Sequence, residues 1–244
     1  MTRTLPLLLL AAVLLPDPAA ASEVEVGVSL GGFDARVDHL TDFSAAILEF
    51  RAEGSLFKAG PGIGGRFRAT FGLWDYDEEY YYYTDAEALD VTGIDAQVLA
   101  GWTFPLDPEL RLTPVVGLGY RNYHTEYRPY GTGERVEYDF DMLSLDFGLR
   151  LDFTPPEAYA IGGNLQFTVG PVLAGRTRED SDSLGRLEGE VESGLVFECR
   201  ASACVDLLAV GVAYEYVHRT LGGELDRHEE HQRFAFWIGL GLPF

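Results

Sequence analysis

A chain of 244 residues with a formal net charge of −21 is a poor partner for nucleic acid, because phosphate binding needs clustered Lys and Arg, and Lys58 is the only lysine. After residue 22 no run of about 18 apolar residues occurs, which excludes a bundle of membrane-spanning helices. Aromatic residues at 13 % and 28 glycines suit strands with interfacial aromatic belts better than helices.

Arg3, the apolar run Leu5–Leu15 and the small residues Ala19-Ala20-Ala21 before Ser22 read as a secretory signal peptide spanning residues 1–21. Residues 22–244 then form a single domain. Alternation of apolar and polar residues predicts strands at about 23–30, 45–56, 66–74 and 91–104, the last aligning Ile94, Ala96, Val98, Ala100, Trp102 and Phe104. A fifth strand places Leu110, Leu112, Pro114, Val116, Leu118 and Tyr120 on one face. The sixth, about 140–153, is the clearest, with Leu143 to Phe153 at odd positions against Ser144, Asp146, Gly148, Arg150 and Asp152. Strands at about 162–176, 190–199 and 204–217 follow.

The final segment carries Phe234, Phe236, Ile238, Leu240, Leu242 and Phe244 on one face, over about the eleven residues that a tilted strand needs to cross a bilayer. Long polar connections are predicted at 31–44, 75–90, 124–139, 176–189 and 217–232. Short turns are predicted at 58–65, 105–109, 154–161 and around Arg200–Ala203. Long outer loops, short inner turns and outward apolar faces together predict an all-β, antiparallel, up-and-down transmembrane β-barrel of ten strands, with eight or twelve as alternatives. Two aromatic girdles are expected, with Trp102, Phe104, Phe153, Phe197 and Phe244 at one end and Phe71, Tyr120, Tyr214, Tyr216, Phe234 and Phe236 at the other.

The inward faces are expected to carry Glu49, Arg51, Arg66, Arg68, Asp95, Gln97, Arg111, Arg121, Asp146, Arg150, Asp152, Gln166 and Glu215. In a narrow barrel, such mixed charges bridge across the interior and plug it. The alternative is a narrow pore for small solutes or anions, lined by the arginines. Cys199 and Cys204, read as flanking a turn in an oxidising compartment, are expected to form a disulfide. The acid-rich loops are read as solvated surface, so no metal or cofactor is expected.

Gly239, Leu242 and the terminal Phe244 resemble the C-terminal assembly signal of bacterial outer-membrane β-barrel proteins. That resemblance implies residence in the outer membrane with both termini in the periplasm, surroundings of membrane lipid and lipopolysaccharide, and recognition of the last strand by the barrel-assembly machinery. Asp75 and Asp77 with Asp226 and His228 resemble the two mouth pairs of the omptin proteases, which activate a water. Here the Asp–His pair falls in the last predicted loop instead of the fourth. His218 and Thr220 stand as the corresponding candidates for a lipid A-modifying hydrolase. The role expected from the residues themselves is structural or interactive, not enzymatic.

Overall fold

The computed structural model describes residues 23–37, 41–57, 59–74, 85–128, 135–154, 161–183 and 185–243. Ten strands follow in chain order: β1 (Glu23–Val37), β2 (Thr41–Ser55), β3 (Gly60–Trp74), β4 (Asp85–Pro105) and β5 (Leu110–Arg128), then β6 (Val136–Phe153), β7 (Ile161–Ser181), β8 (Gly185–Val205), β9 (Leu208–Gly223) and β10 (Arg227–Pro243). Each pairs antiparallel with its sequence neighbour, and β1 pairs with β10 from Glu23↔Pro243 to Val37↔Glu229, so the sheet closes on itself. Closure removes the free edges that an open sheet would expose. Residues 1–21, read above as a signal peptide, and Asp75, Asp77 and Phe244 lie outside the described residues.

The outer surface is apolar over a belt on the near side of the barrel, as expected where tilted strands cross a bilayer. Leu30 on β1, Phe50 on β2, Ile94 on β4, Leu149 on β6 and Leu240 on β10 are among its exposed members. We call the end holding Glu23 and Pro243 the near rim and the opposite end the far rim. Trp102, Phe104 and Phe153 stand exposed toward the near rim, and Phe71, Tyr120, Tyr214, Phe234 and Phe236 toward the far rim. Phe197 departs from its expected place. It lies opposite Tyr216 and packs edge-on against Phe167, with ring centroids 5.0 Å apart, in the far half of the belt.

The strands are longer than expected, reaching 21 residues in β4, β7 and β8. Four of the predicted long loops are therefore largely β-structure, and the connections at the far rim shrink to 38–40, 182–184 and 224–226 for three of the five hairpins. The alternation does continue past the belt, but with its faces exchanged. On β1, Val26, Val28 and Leu30 face outward, whereas Phe33, Ala35 and Val37 face inward. On β6, Leu149 and Phe153 face outward, whereas Val136, Tyr138, Phe140 and Met142 face inward. Beyond the bilayer the outside meets water and must be polar, so the apolar residues move to the lumen.

The cysteine turn is not observed. Cys199 and Cys204 both lie within β8, and their sulfurs are not joined. Five residues apart on one strand, they point to opposite faces at about 16 Å separation, far beyond the reach of a disulfide. The true turn is Asp206-Leu207, where Asp206 takes φ = 53°, a left-handed conformation that Asp tolerates.

The wall is not uniform. Between β7 and β8 the ladder runs to Pro171↔Leu195 and resumes at Arg176↔Glu190. Pro171 has no N–H to donate. Flanking register shifts occur at Leu143/Ser144 on β6 and Val191/Ser193 on β8.

Candidate functional site

The lumen is the place where this barrel concentrates chemistry, because a strand that shows hydrocarbon to lipid carries its polar residues inward. Toward the near rim, Arg200 of β8 donates from Nη2 to Glu53 Oε1 of β2 at 2.8 Å and to Gln166 of β7 at 3.0 Å. Arg150 donates to Asp152 at 2.7 Å, and its guanidinium lies 5.5 Å from the ring centre of the buried Phe57. The Arg51 guanidinium sits 3.6 Å over the ring of Trp237, which is 1 % exposed inside the barrel, a cation–π contact shielded from water. Room for that indole comes from Gly211, where a Cβ would fall 2.1 Å from the ring.

The middle layer is a continuous ionic network. Arg66 of β3 pairs with Glu198 of β8, the strand diametrically opposite, and also donates to Asp95 at 3.3 Å. Arg68 donates to Asp95 at 2.5 Å and to Glu215 of β9 at 3.0 Å. Arg121 of β5 reaches the same Glu215 oxygen at 3.0 Å. Glu49 accepts from Ser29 at 2.7 Å and from Arg233, and Asp146 accepts from Gln97 at 2.7 Å and Ser144 at 2.8 Å. Charges this buried persist only when hydrogen-bonded, and Glu49, Asp95, Glu198 and Glu215 each also face an arginine.

Toward the far rim the lumen changes character. Phe33, Ile47, Val91, Tyr123, Phe140 and Met142 form an apolar layer across the barrel. Phe33 and Tyr123 stack at 5.4 Å, and Tyr123 and Phe140 lie 5.1 Å apart. Above it Arg219 donates from Nε to Glu229 at 2.9 Å and from Nη2 to the Tyr138 hydroxyl at 2.7 Å, and Tyr138 donates to Glu229 at 2.7 Å.

The structure thus brings twelve of the thirteen residues expected on the inward faces into hydrogen-bonded polar layers. The exception is Arg111, which has inward parity but stands at the near rim and donates to Thr154 at 2.5 Å. Sequence reasoning missed Glu53, Glu198, Arg200, Arg219 and Glu229. Glu198 and Arg200 have the inward parity of β8, a signal that the supposed cysteine turn hid for Arg200 alone. Arg219 and Glu229 fell within a segment read as loop.

Of the residues weighed for catalysis, His218, Thr220 and His228 meet on the outer face of β9 and β10. His228 faces outward on β10, shares a hydrogen bond with Thr220 at 2.9 Å, and stacks on His218 with ring centroids 6.0 Å apart. Gly239 sits at the β1–β10 seam opposite Gly27, where a Cβ would meet the Val26 carbonyl oxygen at 2.6 Å. Leu242 pairs with Val24 along the same seam.

A closed antiparallel cylinder that is apolar outside over one bilayer thickness and ionic inside is a transmembrane β-barrel of the outer-membrane type. No protein-family model matches the chain, and no curated protein does. Among solved structures it is similar to the outer membrane protease OmpT from Escherichia coli, at 13 % identity and a TM-score of 0.59 over 94 % of this chain and 99 % of that one. It is also similar to the translocator domain of the autotransporter NalP from Neisseria meningitidis, at 10 % identity and a TM-score of 0.45 over 92 % of this chain and 89 % of that one. A third is Ail, the attachment invasion locus protein of Yersinia pestis, at 12 % identity and a TM-score of 0.33 over 91 % and 99 %. At these identities the likeness to OmpT is one of fold.

Proposed function

We propose that this chain is an integral barrel of the bacterial outer membrane with a closed lumen, serving a structural or interaction role rather than conduction or catalysis. The observation that carries this reading is the contact of Arg66 with Glu198 across the full width of the barrel, backed by Arg68, Arg121 and Glu215. An apolar layer that includes Phe33, Tyr123 and Phe140 rests on top of that network. In this reading the far rim, where the strands outrun the belt, faces the cell exterior. Both ends of the chain then lie in the periplasm, and the last strand is offered to the assembly machinery.

Planar-bilayer recording of the refolded barrel tests the reading. A protein shown to be folded by its heat-modifiable electrophoretic mobility should insert and remain silent. Discrete, reproducible conductance steps from the wild-type chain would establish a pore and overturn it.

A further inference from the structure

Inside the far half, one ionisable ring stands apart from the ion pairs. His231 of β10 faces inward and is 3 % exposed, between the outward Glu230 and Gln232 that stand above the belt. Aromatic rings enclose it, with centroids 4.5 Å away for Phe140, 5.8 Å for Phe33 and 6.1 Å for Tyr138. Its Nε2 lies 3.3 Å from the Tyr138 hydroxyl and 3.5 Å from Arg219 Nη2, and its Nδ1 has no hydrogen-bond partner among the described residues. An arginine N–H can only donate, so the nitrogen that it meets is unprotonated and the ring is neutral.

The carboxylate beside it is already committed. Glu229 stands 3.8 Å from Nε2, but its Oε2 accepts from Arg219 of β9, Tyr138 of β6 and Thr177 of β7, and its Oε1 from Arg227 of β10. Glu179 of β7 is turned to Arg227 at 2.7 Å, and β1 presents only the uncharged ring of Phe33. A cationic imidazole would add a third positive charge beside Arg219 and Arg227, among aromatic rings and without a free acceptor.

We propose that His231 is an acid-sensitive latch: neutral, it completes the packed layer of the far half, and on protonation it leaves the aromatic box and loosens β9 and β10 beyond the belt. The inference goes beyond the closed-lumen reading by naming the condition that loosens one half of the interior. Burial pushes the imidazole down to about 4; the Glu229 carboxylate opposes that shift and Arg219 adds to it. A displaced ring titrates at about 6.5. The stabilisation is therefore complete above about pH 6.5 and is lost as pH falls toward the lower value, because the displaced form binds the proton more tightly.

Hydrogen exchange of the refolded full chain in detergent micelles tests the latch, read by mass spectrometry of peptic peptides and corrected for the intrinsic pH dependence of exchange. Between about pH 7.5 and about pH 5, peptides covering 217–221 and 227–231 should lose protection by about tenfold or more, while those covering 208–213 and 235–240 in the near half keep theirs. His231→Phe, which fills the box with an uncharged ring, and His231→Gln should each remove the acid response. Protection independent of pH in the wild-type chain would overturn the proposal. So would an acid response that survives in both variants, which would assign it to Glu179 or Glu229. The wild-type profile, with the near half as internal reference, needs no variant to fold. Conductance at neutral pH would sink the closed-lumen reading and leave the latch standing.

Discussion

Glu198 shows what a single buried charge does in this lumen. It faces Arg66 from the opposite wall and has no access to solvent. Truncating one member of such a pair leaves the other charged and uncompensated, whereas replacing both by apolar groups removes the desolvation cost as well. Glu198→Ala is therefore expected to destabilise the barrel by about 3–5 kcal/mol in equilibrium urea unfolding of the micelle-bound protein. The double substitution Arg66→Met with Glu198→Leu should recover most of that loss. Trp237 poses the steric counterpart. Gly211→Val should cost about 1–3 kcal/mol by crowding the indole, and Trp237→Ala should relieve part of it, a coupling that a double-mutant cycle reads directly.

At the scale of the strand, the parity of the side chains decided what could be read from sequence. The outward apolar positions of β4, β5, β6 and β10 were legible because the lipid face demands hydrocarbon at every second residue. So were Arg66, Arg68, Arg121 and Asp95, which alternate with them. The far extensions were not legible by the same rule, because Phe33, Tyr138 and Phe140 lie on the face that is polar lower down. An exchange of faces without a break in alternation marks the point at which a strand leaves the bilayer. Cys199 and Cys204 illustrate a different failure, in which spacing suggested a hairpin that β8 does not make. Both thiols of unreduced, denatured protein should accept an alkylating reagent, and the change of both to Ser should alter stability by less than about 0.5 kcal/mol. A mass spectrum lacking the two adducts would restore the disulfide.

For the molecule as a whole, two kinds of interior share one cylinder. The near half is held by ion pairs, and the far half by an apolar layer of the kind that fills a water-soluble protein, capped by the Arg219–Glu229 pair. That division follows from the surroundings of each half. Within the membrane, hydrophobic residues gain nothing by turning inward, because lipid solvates them equally well. Above it they gain the usual burial energy of about 25 cal/mol per Å². The cleft lined by Asn122, Asp139, Asp141, Arg176 and Arg178 sits at the level where the two regimes meet, and it was illegible in sequence because these residues converge only through the pairing of β5, β6 and β7.

The seam between β1 and β10 runs through fifteen opposed residue pairs, as long as the β1–β2 ladder beside it. A polypeptide drawn as a line has here become a ring. The first and last strands are neighbours like any others, so the ring has no mechanical beginning. The entire circumference is complete only once the final strand has arrived, and until then every partly built sheet carries two hungry edges. Loss of that strand would leave an open ribbon rather than a smaller barrel.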